Sequence, residues 1–139
     1  MMGQMASISN QAANPLTAAQ PKDLSGALRS VLYIFDHEWH LSNGEAQTLL
    51  GCSRATYFRW KQTQTLGDVS KDTLERLSYV LGIYKALRIL IPDINLANTW
   101  LQNPNSDPYF GGLTPLKTLM GGQVADLYRI RTYLDGWRG

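Results

Sequence analysis

The chain has 139 residues, of which 44% are hydrophobic and 17% charged, a globular composition that excludes a disordered or fibrous protein. Its net charge of +2 permits a nucleic-acid partner without demanding one, so local charge must carry any such argument. The single cysteine, Cys52, excludes an intrachain disulfide, and with two histidines it leaves little material for a metal site.

The N-terminus lacks a basic segment followed by an apolar run, as a secretory signal would need. No apolar stretch reaches the roughly 20 residues of a membrane span. The longest, Val80 to Ile91, is interrupted by Gly82, Lys85 and Arg88. The expectation is a cytoplasmic protein without a membrane partner. Residues 1–21 are rich in Ser, Asn, Gln, Ala and Met without a period, and read as a flexible N-terminal tail.

From Lys22, the residues Leu24, Ala27, Leu28, Val31, Leu32 and Phe35 recur at spacings of three and four, which predicts an amphipathic helix ending near Trp39. Ser42-Asn43-Gly44-Glu45 spells a capping box, a serine N-cap with glutamate at the third helical position. Ala46, Leu49 and Leu50 give the short helix behind it an apolar face. Gly51 interrupts it. Ser53 is the next N-cap, and Tyr57 and Trp60 form the inward edge of the following helix. Leu66-Gly67-Asp68 reads as a loop. Ser70 caps a longer helix that holds its period from Leu74 through Leu77, Val80, Leu81, Tyr84 and Leu87 to Ile91, where Pro92 stops it. A short helix from Ile94 to Leu101 turns Ala97, Trp100 and Leu101 inward. Asn103-Pro104-Asn105 breaks it, and Ser106 to Leu113 is a loop. Thr114-Pro115 opens a helix reaching Met120, which Gly121-Gly122 ends. Val124, Leu127, Ile130, Tyr133, Leu134 and Trp137 mark the last helix. No strand alternation appears. The fold class is all-α, a small helical bundle of about seven helices by the periodicities of three and four.

The stretch from Glu45 to Lys61 reads as a helix-turn-helix within residues 42–63. Two short helices meet at a turn holding a glycine that can adopt positive φ. Leu50, Cys52, Tyr57 and Trp60 fall where the two helices pack. The place four residues before the glycine, commonly a small alanine, holds Gln47, with Ala46 one earlier. The second helix would offer its N-terminal outer face to a major groove of operator DNA. The candidates are Ser53, Arg54, Ala55, Thr56, Arg59 and Lys61. Arg54 and Arg59 can bond guanine edges or phosphates, and Thr56 can do either or touch a thymine methyl. Three basic residues and no acidic one lie between Gly51 and Gln64. A plain helical hairpin with a solvated basic face is the alternative. Cys52 reads as a small core residue rather than a nucleophile. His37 and His40, with Asp36 and Glu38, are a charged helix end rather than a metal site. No catalytic constellation or phosphate loop appears, so neither an enzyme nor a cofactor is expected.

Trp100-Leu101, Asn103-Pro104-Asn105, Gly111-Gly112, Thr114-Pro115-Leu116, Leu119-Met120 and Gly121, followed by an amphipathic helix, resemble the toxin-binding domain of the Xre/MbcA/ParS antitoxins. Leu49-Leu50-Gly51-Cys52-Ser53, Tyr57-x-x-Trp60-Lys61 and the run Leu77 to Leu87 resemble that family's Xre-like helix-turn-helix. Asp107-Pro108-Tyr109-Phe110, ahead of the glycine pair, departs from the family pattern. The resemblance implies a type II antitoxin partnered by a RES-domain toxin, of a class that consumes NAD or transfers ADP-ribose from it. It implies closure of the toxin's active site by the C-terminal region and repression of the shared operon.

The expected organisation is a tail (1–21), a helical domain with the helix-turn-helix (22–91) and a toxin-binding domain (92–139). The toxin-facing candidates are Asn103, Pro104, Asn105, Gly111, Gly112, Trp137, Arg138 and Gly139. Trp137 with Arg138 has the character of an interface anchor, a packed end of the last helix being the equal alternative, and Arg138 could enter a toxin's NAD site. A homodimer, and a hetero-oligomer with the toxin, are expected. A stand-alone homodimeric regulator, and an interaction module that no longer binds DNA, are the competing readings.

Overall fold

The computed structural model describes residues 21–138, with side-chain burial assigned for 24–137. The expected tail falls outside these residues, apart from Pro21. That proline opens the first helix instead of closing the tail, because its missing N–H would have no intrahelical acceptor there anyway.

Seven α-helices and no strand occur among the described residues. They are α1 (Pro21–Tyr33), α2 (Asn43–Leu50), α3 (Arg54–Thr63), α4 (Lys71–Leu90), α5 (Ile94–Thr99), α6 (Pro115–Leu119) and α7 (Val124–Arg138). None is long and apolar enough to cross a membrane. The expected first helix stays continuous only to Tyr33 and then widens into a π turn, Ile34–Glu38, whose closing bond runs from Trp39 N–H to Ile34 O at 2.8 Å. The wider turn carries Ile34, Phe35 and Trp39 all into the core.

The N-terminal signals act as read. Ser42 Oγ accepts from Glu45 N at 3.1 Å while Glu45 Oε1 accepts from Ser42 N at 2.8 Å, closing the capping box. Ser53, Ser70 and Thr114 cap α3, α4 and α6 in the same way through the backbone N–H three residues on. The expected helix 94–101 tightens into a 3₁₀ turn at Trp100–Gln102, and α6 stops at Leu119 with Met120 as its C-cap.

One continuous apolar core joins the two expected domains. Helix α4 is its common element, packing most extensively on α7 and also on α1, α5 and α2. Leu77, Val80, Ile83, Ala86 and Leu87 from α4 meet Leu127, Ile130 and Leu134 of α7 and Leu28, Val31 and Leu32 of α1 in that core. Gly82 leaves room for the Arg131 side chain of α7, since a Cβ there would sit 1.7 Å from Arg131 Nη1. The charged end around residues 36–40 is more than a solvated terminus. Asp36 receives Lys61 Nζ from α3 at 3.4 Å. Glu38 binds the Arg88 guanidinium and accepts from Tyr84 Oη at 2.6 Å, both on α4. Among the described residues no three His, Cys, Asp or Glu side chains are grouped as a metal site would require.

Candidate functional site

Helices α2 and α3 form the helix-turn-helix. Gly51 closes α2 at φ 63°, a conformation that suits glycine. A second constraint fixes the same residue. A Cβ at Gly51 would lie 2.6 Å from Arg76 Cζ, and Arg76 is only 7% exposed. This arginine holds the turn from behind. Its Nη1 donates to Thr48 O and Leu49 O at 3.2 Å each, its Nη2 to Gly122 O at 2.8 Å, and its Nε to Asp72 Oδ2 at 2.8 Å. The end of α2, the centre of the bundle and the turn between α6 and α7 are thereby tied to one cation. Ala46 is buried on α2 and Gln47 half-buried, so the small side chain the motif needs is supplied one place early.

On α3, Tyr57 and Trp60 are buried against the rest of the bundle. Burial pushes the Tyr57 phenol up to about 12, helped by the charge of Asp36. Burial likewise raises the Cys52 thiol to about 11, which keeps it neutral and unreactive. The opposite face carries Ala55, Phe58, Arg59 and Gln62, all exposed, at the i, i+3, i+4, i+7 spacing of one helical face. Arg54 stands at the N-terminal edge of that face, 4.9 Å over the Phe58 ring. Four of the sequence candidates, Arg54, Ala55, Thr56 and Arg59, thus lie on or beside the outward face. Ser53 is exposed too, but its Oγ is engaged as the N-cap and donates to Thr56 Oγ1 at 3.0 Å. Lys61 is turned away, bound to Asp36 and lying 5.5 Å from the Tyr57 ring. Sequence reasoning missed Phe58 and Gln62, although their spacing from Ala55 would have exposed them.

At the other end, Asp107 organises the loop ahead of the glycine pair. Its Oδ1 accepts from Tyr109 N at 2.8 Å, capping the 3₁₀ turn Pro108–Phe110, and its Oδ2 accepts from Tyr133 Oη at 2.7 Å. The Tyr109 N–H, and then the Tyr133 hydroxyl, hold the Asp107 carboxyl below its usual range. Burial and the same carboxylate push the Tyr133 phenol up to about 12. Trp100 and Tyr109 both stack on the Tyr133 ring, and Phe110 meets it edge-on.

Beside this aromatic group lies an open cleft of about 670 Å³, lined by Asn105, Ser106, Asp107, Tyr133, Gly136 and Trp137. Asn105 and Trp137 therefore meet in one place, and Trp137 is 52% exposed. Asn103 and Pro104 are exposed on the segment leading into the cleft. Gly111 and Gly112 have φ of 58° and 82°. Their loop is pinned to Asn105, whose N–H donates to Leu113 O at 3.2 Å. The side chain of Arg138, and Gly139 altogether, lie outside the described residues. Asp107 and Tyr133 are the contributors that sequence reasoning did not place here; the Asp-Pro pair was the signal for a capped turn.

Comparison with known proteins agrees with this two-ended layout. Residues 21–82 match the family model for the antitoxin Xre-like helix-turn-helix domain. Residues 86–139 match the model for the antitoxin Xre/MbcA/ParS C-terminal toxin-binding domain. The chain is also similar to the uncharacterized protein y4oB of Sinorhizobium fredii, at 39% identity over 129 residues, covering 90% of this chain and 97% of that protein. With a helix-turn-helix domain and a toxin-binding domain that together take in nearly all of the described residues, the chain belongs to the Xre/MbcA/ParS antitoxin family.

Proposed function

We propose that this antitoxin neutralises a RES-domain toxin, one that consumes NAD or transfers ADP-ribose from it, by covering the toxin's active site with its C-terminal end. The observation that carries the proposal is the half-exposed Trp137 at the mouth of a cleft inside the toxin-binding domain. A large aromatic that its own fold leaves uncovered is a typical interface anchor. Asn105 lines the same cleft, and Asn103, Pro104, Gly111 and Gly112, on the loop that includes it, would extend the contact. Arg138 and Gly139 would follow Trp137 into the toxin, where a guanidinium can bind site carboxylates.

The same protein would repress its operon in the cytoplasm by placing α3 in the major groove of operator DNA. Arg54 and Arg59 would meet guanine edges or phosphates, Ala55 and Thr56 would approach the bases, and Ser53 would hold the helix end. A homodimer would match two half-sites about one helical turn apart. Lys61 contributes to the local positive field but is bound to Asp36.

The test separates the two ends. Deleting Trp137 to Gly139 should abolish toxin inhibition and leave operator binding intact. Replacing Arg54 and Arg59 with alanine should weaken salt-dependent operator binding and leave inhibition intact. Loss of both activities in either folded variant would contradict this division of labour.

A further inference from the structure

Phe58 is an aromatic residue without a polar tip on a face otherwise made of Ala55, Arg59 and Gln62. It is 36% exposed, although the buried Tyr57 beside it shows that α3 has room for aromatic rings on its inner side. The Arg54 guanidinium lies 4.9 Å above one face of its ring. A guanidinium held over a ring can still direct N–H donors to a further partner. No acidic residue occurs between Gly51 and Gln64 to compete for those donors locally. The pair therefore presents a fork of donors and, one helical turn along, an apolar ring edge. In a major groove these two chemistries match a guanine edge and a thymine methyl.

We propose that Arg54 and Phe58 act as one reading unit for a thymine next to a guanine, with Phe58 covering the thymine 5-methyl group. This rests on the reading of α3 as the operator-facing helix. Arg54 is held over the ring, and Phe58, already edge-on to Tyr57 at 6.0 Å, gains apolar cover on the part left open.

The experiment is a cycle of two proteins and two DNAs. Wild type and Phe58→Ala are each titrated with the fragment upstream of the gene, prepared once with thymine and once with uracil, which lacks only the methyl groups. Wild type should lose about fourfold in affinity on uracil DNA for each buried methyl. Phe58→Ala should lose at least as much on thymine DNA and should lose less than wild type on going from thymine to uracil DNA. The dependence of binding on salt should be unchanged by Phe58→Ala, since no charge is removed. An unaltered thermal midpoint shows that the variant folds, and Phe58→Leu, which keeps an apolar side chain, should recover part of the thymine preference.

Equal wild-type affinity for both DNAs, or additive losses in the cycle, overturns the proposal while leaving α3 as a DNA-binding helix. Absence of any salt-dependent binding by wild type defeats that underlying reading as well. Loss of toxin binding by Phe58→Ala would instead assign the face to a protein partner, and would equally overturn the proposal.

Discussion

Replacing Arg76 with methionine removes a cation and four hydrogen bonds while keeping most of the apolar stem volume. The bonds differ in worth. The one to Asp72 ends on a half-exposed carboxylate and contributes little. The three to Thr48 O, Leu49 O and Gly122 O are made by a side chain only 8% accessible. Hydrogen bonds to charged groups contribute about 1.5–3 kcal/mol each, but Thr48 O keeps a second donor in Gly51 N–H at 3.3 Å. With the bonds to Leu49 O and Gly122 O counting most, the expected loss is about 2–4 kcal/mol. Urea denaturation should show a lower midpoint at unchanged slope, and Arg76→Lys, which reaches fewer acceptors, should fall between. An Arg76→Met variant within about 1 kcal/mol of wild type would refute the account, because Arg76 would then behave as a solvated surface cation.

Gly51→Ala should cost over about 2 kcal/mol in the same assay, since a left-handed backbone and the fixed Arg76 both oppose its Cβ. Gly82→Ala should be nearly neutral although its Cβ meets Arg131 at 1.7 Å, because that guanidinium can swing outward and alanine favours helix by about 1 kcal/mol. Burial raises the Cys52 thiol from 9.0 to about 11 and the Tyr57 phenol from 10.0 to about 12, so the neutral forms favour the fold. Their contribution should be complete below about pH 9 and lost as pH rises through these folded values. The urea midpoint should therefore fall on alkalinisation, and Cys52→Ala should flatten the first part of that fall; an identical decline in the variant would remove the thiol from the explanation. Trp137→Ala should leave the thermal midpoint within a few degrees of wild type and yet reduce toxin binding; a large drop in midpoint would make Trp137 a core residue.

Much of the fold was legible because its signals are local. Ser42, Ser53, Ser70 and Thr114 each bond a backbone N–H three residues away, and Gly51 sits where its own φ demands it. The features that escaped depend on partners far along the chain. Arg76 goes unnoticed in the sequence because the carbonyls that converge on it lie 28 and 46 residues distant. Lys61 looks like part of a basic DNA-facing cluster until Asp36, 25 residues earlier, takes it. The π turn at 34–38 keeps the apolar spacing of an ordinary helix end, so periodicity alone cannot reveal it. At the C-terminal cleft, the turns and glycines were readable as a loop. The Asp107–Tyr133 bond that shapes the cleft spans 26 residues and joins that loop to the last helix.

The most direct test of the central claim is co-expression with the product of the adjacent open reading frame, scored by growth and by co-purification. The account predicts that the full chain restores growth and forms a stable complex. It also predicts that the variant lacking Trp137 to Gly139 does neither, while still binding operator DNA. Restored growth and an intact complex with the truncated variant would contradict it.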